Sequence, residues 1–81
     1  MDIVQDALNY DVAIEILSKA RSASIKRKHH AASEKEREQA AKEILVYNAE
    51  ESILNGYGSL DARTSVYDKI FRFYAPIVRA L

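Results

Sequence analysis

The residues with the most chemical potential lie in one stretch: Arg21, Lys26, Arg27, Lys28, His29 and His30, with no acid among them. Guanidinium and ammonium groups at this density grip phosphates, and the imidazoles offer further N–H donors. The same composition suits a solvated connection between helices, where cations favour the negative end of the preceding helix dipole. No aromatic residue is interleaved with the cations and no reader motif surrounds them. The cluster is therefore a candidate for anion or nucleic-acid contact, without a signature of base reading.

His30 and Glu34 would stand one helical turn apart, a metal-ligand spacing, but two histidines without a third fixed ligand do not make a site. Glu34, Glu36 and Glu38 offer carboxylates for general acid–base work, which needs burial to shift their pKa values. They occupy the most polar turn of the chain and read as a solvated helix face. There is no cysteine, hence no disulfide, thiolate ligand or thiol nucleophile. No glycine-rich phosphate loop occurs, and the histidines lie beside cations instead of an orienting carboxylate. The expectation is a protein that is not an enzyme and uses no metal or cofactor.

Aromatic residues supply the other candidate. Tyr57, Tyr67, Phe71, Phe73 and Tyr74 fall within eighteen residues, beside Arg63, Lys69 and Arg72. Tyrosine and arginine anchor protein interfaces, although most of this set is needed to fill a core.

The elements that position these residues are helical. Two glycines and one proline in 81 residues leave little for hairpin turns, and the class expected is all-α. The final segment, about 61–80, carries Val66, Ile70, Phe73, Tyr74, Ile77 and Leu81 at spacings of 4, 3, 1, 3 and 4, one face of a helix. A second stripe, Tyr67, Phe71 and Val78, leaves a narrow polar strip at Asp68, Lys69, Arg72 and Arg79. Pro76 sits on that strip and predicts a bend near 72–76.

Near the start, Ile3, Ala7, Tyr10, Ile14 and Leu17 repeat at 4, 3, 4 and 3. Val4, Leu8, Val12, Ala13, Ile16 and Ala20 widen that band, and Asp2 and Asp6 suit the positive end of the dipole. Together they predict a first helix of about 2–24. Between Arg21 and Gln39 the one large apolar residue is Ile25, which leaves no core to hold this span. Ser33 and Glu36 form a capping box that opens a second helix of about 33–54. Its apolar residues are Ala41, Ile44, Leu45, Val46, Ala49, Ile53 and Leu54, and Asn55-Gly56 ends it. Ser59 or Asp61 caps the third. A single helix from about 11 to 54, roughly 65 Å long at 1.5 Å per residue, is the alternative to a break. The architecture expected is a single domain over 1–81: an antiparallel hairpin plus a bent C-terminal helix, completed by dimerisation.

Twelve basic residues balance twelve acidic ones, in bands: net −3 over residues 1–20, +4 over 21–30, −3 over 31–51 and +2 over 52–81. Banding orients partners without net charge. No membrane span is present, and an acidic start with no cysteine fits the cytoplasm. The apolar face of the last segment is too wide for partner helices of this length. Tyr67, Phe71 and Val78, with Tyr57 and Arg72, are expected to meet another protein, a second copy included. The function expected is stoichiometric binding by a regulator, adaptor or inhibitor. Nucleic-acid binding through residues 21–30 is the alternative, and peripheral membrane attachment through the amphipathic last helix a weaker one.

Overall fold

A computed structural model describes the backbone from Ile3 and the side chains from Asn9 onward. Asp2 and the side chains of Ile3, Val4, Asp6, Ala7 and Leu8 lie outside the described residues. The described chain is all-α, with helices α1 (Ile3–His29), α2 (Glu34–Leu54) and α3 (Leu60–Lys69), then a π-helical turn over Ile70–Tyr74 and α4 (Ala75–Arg79). The last three form one continuous third helix.

α1 does not stop near residue 24. Its inward seam is Tyr10, Ala13, Leu17, Ala20 and Ser24, alternating three and four residues apart. Ser24 is fully buried and donates to the Glu43 carboxylate at 2.8 Å, and Arg27 pairs with the same carboxylate. Polar contacts thus hold the helix where the apolar stripe fades, which corrects the expectation that no part of residues 21–39 can be gripped. The break still falls before Ser33, and the chain folds back as a hairpin.

Ser33 caps α2, its hydroxyl accepting from the Glu36 N–H at 3.2 Å, while the Glu36 carboxylate accepts from the Ala32 N–H at 3.0 Å. Gly56, at φ +103°, takes the left-handed conformation that turns the chain after α2. The inward seam of α2 is Ala40, Glu43, Tyr47, Glu50 and Leu54, again at alternating spacings of three and four. Of the apolar residues of this helix, Leu45, Val46 and Ala49 are exposed. Two glutamates stand on the inward seam instead, made tolerable by partners on the facing helices.

Cross-helix pairs run in opposite order along the hairpin: Tyr10 with Asn55, Arg21 with Glu51 and Asn48, then Ser24 and Arg27 with Glu43. This antiparallel ladder fixes the register. Ser59, not Asp61, caps α3, accepting from the Ala62 N–H at 3.0 Å. The third helix rests on both members of the hairpin, α3 against α2 and the later turns against α1.

The end of the third helix departs from the expected face. Pro76 has no N–H to return to Arg72, and its ring crowds the preceding turn. The Ala75 N–H bonds to the Ile70 carbonyl, five residues back. Such a widened turn takes in one extra residue, so the residues beyond it are rotated by about 100° relative to an uninterrupted α-helix. Tyr74 and Ala75 are buried and Val78 half-buried, whereas Phe73, Ile77 and Leu81 are 59%, 55% and 71% exposed. The expected core stripe therefore holds at Val66, Ile70 and Tyr74 and fails at Phe73, Ile77 and Leu81.

Replacing Ser33 with Ala should lower the unfolding free energy in urea by about 1 kcal/mol without changing the slope against denaturant. Ile70→Ala, at a fully buried position, should cost about 2–5 kcal/mol.

Candidate functional site

The phase shift creates the most conspicuous surface. Val46 on α2, Ile77 on α4 and Leu81 line an open groove of ≈ 580 Å³ together with Ala20, Ala23 and Tyr47. The groove lies where the third helix ends beside the hairpin. The radius of gyration is 13.7 Å, with Cα extents of 46 × 25 × 15 Å. A compact chain of this length would have a radius nearer about 12 Å. The molecule is elongated, and this flank is open.

Below the groove is a buried polar cluster. Glu50 is 6% exposed; one carboxylate oxygen accepts from the Tyr74 hydroxyl at 2.6 Å, and the other pairs with Lys69 Nζ at 3.2 Å. Lys69 Nζ also stands 5.3 Å from the Tyr74 ring centre, and Tyr47 meets that ring edge-on at 5.2 Å. Burial and the hydrogen bond to Glu50 push the Tyr74 hydroxyl up to about 12, against the lowering effect of Lys69. The hydrogen bond with Tyr74 and the pairing with Glu50 raise the Lys69 ammonium above its ordinary value. Both Glu50 oxygens and the Tyr74 hydroxyl are partnered, and the arrangement ties α2 to the third helix.

A second such cluster ties the hairpin. Burial acts to raise the Glu43 carboxyl, but hydrogen bonds from Arg27 and Ser24, with the guanidinium charge, outweigh it and hold the group below its ordinary range.

The basic stretch is divided. Arg21 and Arg27 are engaged across the hairpin, while Lys26, Lys28, His29 and His30 are exposed towards its tip. His30, Lys35 and Glu36 line a shallow depression there. Of the aromatic candidates, Tyr67 and Phe71 stack at 6.4 Å and 7° and line a different groove with Leu60 and Arg63. Val78 is not with them: the phase shift turns it towards the core, beside Ser18 and Ser22. Tyr57 is 81% exposed in the α2–α3 loop, and Arg72 pairs with Asp68 at 3.2 Å. The expected interface set is thus split over three places.

Glu50, Glu43 and Ser24 escape a reading by hydrophobicity because they are polar. Their signal is spacing: Tyr47, Glu50 and Leu54 repeat at three and four residues, as Leu17, Ala20 and Ser24 do. No helix of the described chain is long and apolar enough to cross a membrane. The chain matches no protein-family model, no curated protein and no solved structure.

The raised Tyr74 value makes its contribution to stability complete below pH 10.0 and lost as pH rises through about 12. In a spectrophotometric titration one of the five tyrosines should ionise late, and Tyr74→Phe should remove that late phase. Glu43 behaves in the opposite sense: its contribution is present above the ordinary carboxylate value of 4.5 and is lost as pH falls through its lower folded value. Glu43→Gln should therefore flatten the acid side of the stability profile, read by urea midpoints at stepped pH.

Proposed function

We propose that this protein acts by stoichiometric binding to another protein, as a non-enzymatic regulator, adaptor or inhibitor. The observation that carries the reading is the exposed apolar flank of the third helix. Phe73, Ile77 and Leu81 are more than half exposed, and Val46 on α2 extends the surface. Val46, Ile77 and Leu81 share one groove, and Phe73 is exposed outside its lining; burying such side chains lowers free energy by roughly 25 cal/mol per Å² removed from water. The Tyr67–Phe71 stack offers a separate surface on which a second copy could pack.

The nucleic-acid alternative retains Lys26, Lys28, His29 and His30 as exposed groups, with Arg21 and Arg27 committed to Glu51 and Glu43. A duplex-DNA gel shift that weakens steeply with salt would favour it.

The leading reading is tested by affinity capture from the native host with wild type and with Ile77→Asp/Leu81→Asp, alongside a solution mass measurement. Both positions are more than half exposed, so the variant should keep its helicity and unfolding midpoint. Loss of the captured protein at one-to-one stoichiometry is the expected result. Capture that is unchanged in the variant, or absent with wild type, would overturn the reading.

A further inference from the structure

The groove bounded by Val46, Ile77 and Leu81 does not end at the third helix. A second depression, of ≈ 520 Å³, adjoins it and shares Ala23 and Leu81 as lining. Its other walls are Ser18, Lys19, Ser22, Lys26 and Val78. Together they form one face running across α1 to α2 past the end of α4.

The charge of this face departs from that of the whole molecule. The chain has twelve basic and twelve acidic residues. Lining the joined depressions are Lys19, Lys26, Arg27, Lys42 and Lys69, of which Lys19 pairs with Glu15 and Lys69 with Glu50 outside the lining; the one acid in the lining is Glu43. That acid is already held by Arg27 and Ser24. Lys26 and Lys42 are exposed and have no ion-pair partner among the described residues. Ala23, half-buried, lines both depressions, and its short side chain admits close approach of another backbone.

We infer that this face takes an acidic amphipathic helix of a partner protein. The inference rests on the binding function proposed above and names the chemistry of the partner. Apolar side chains spaced three and four residues apart on the incoming helix would meet Val46, Ile77 and Leu81, while its carboxylates face Lys26 and Lys42. Charge complementarity of this kind sets both encounter rate and choice of partner. A second copy presenting the same face would oppose lysine to lysine, which is unfavourable. A bilayer is a poorer match, because the apolar side chains here line a concave surface and do not crown a convex one.

The test is fluorescence anisotropy of the full chain with three amphipathic peptides of about 18 residues, or five turns at 3.6 residues each. All share one leucine face; the polar face is Glu, Gln or Lys. The Glu peptide should bind at least about tenfold more tightly than the Lys peptide. Lys26→Glu/Lys42→Glu should reverse that order with helicity unchanged, as both side chains are exposed and unpaired.

Equal binding of the three peptides would overturn the acidic assignment and leave the protein-binding function standing. No peptide binding, or a preference that survives the charge reversal, would remove this face as the acidic-helix site. The Ile77→Asp/Leu81→Asp capture then decides the broader reading independently. Charge-dependent sedimentation with phosphatidylserine vesicles without peptide binding would assign the face to a membrane. A doubled solution mass that blocks the peptide would assign it to a second copy. Either result overturns the inference.

Discussion

A buried carboxylate governs how the third helix sits. Glu50 is almost wholly removed from water, which is unfavourable for a charge unless its oxygens are partnered. Both are, one by Tyr74 and the other by Lys69. That requirement directs Tyr74 inward. Because Pro76 cannot close an α-helical bond to Arg72, the turn before it is widened, which allows Ala75 and Val78 to join Ile70 and Tyr74 on the inner side. The consequence for the surface is direct: Phe73, Ile77 and Leu81 rotate outward. One polar contact and one missing amide thus convert the greasiest helix of the chain from a buried element into a presenting one.

The hairpin beneath obeys the same logic. Both seams repeat at three and four residues, yet their members are small or polar about as often as they are large and apolar. Alanines at 13, 20 and 40 let the helices approach, and the side chains of Arg21, Ser24, Arg27, Glu43 and Glu51 interlock between them. Apolar packing is indifferent to a sliding register, whereas paired charges are not; removing one partner leaves the other desolvated. The ladder therefore specifies an antiparallel alignment that a small apolar core would leave loosely defined.

The class, the hairpin and the caps at Ser33 and Ser59 are legible in the sequence, because they depend on local chemistry: scarce glycine and proline, a hydroxyl before an apolar run, and Asn55-Gly56 after it. Which side of each helix faces inward is less legible. In α2 the visible apolar residues Leu45 and Val46 suggest one face, while the buried face carries Glu43 and Glu50. Periodicity counted by hydrophobicity alone cannot find a seam whose polar members are satisfied only after the partner helix arrives. In the third helix the count holds at Val66 and Ile70, and beyond them at Tyr74 alone. Beyond it an even 3.6-residue period does not survive the proline, and the π turn resets the phase. The split of Val78 from Tyr67 and Phe71 has the same single-residue cause.

The binding function proposed for this molecule depends on that phase, since an uninterrupted α-helix would return Phe73 and Ile77 to the core. The most direct measurement is hydroxyl-radical footprinting read at the adjacent residues Phe73 and Tyr74, normalised for intrinsic reactivity. With Phe73 at 59% and Tyr74 at 7% exposure, Phe73 should be oxidised much faster than its neighbour. Protection of Phe73 to the level of Tyr74 would show the helix in its uninterrupted phase, with both rings inward, and the presenting flank would not exist.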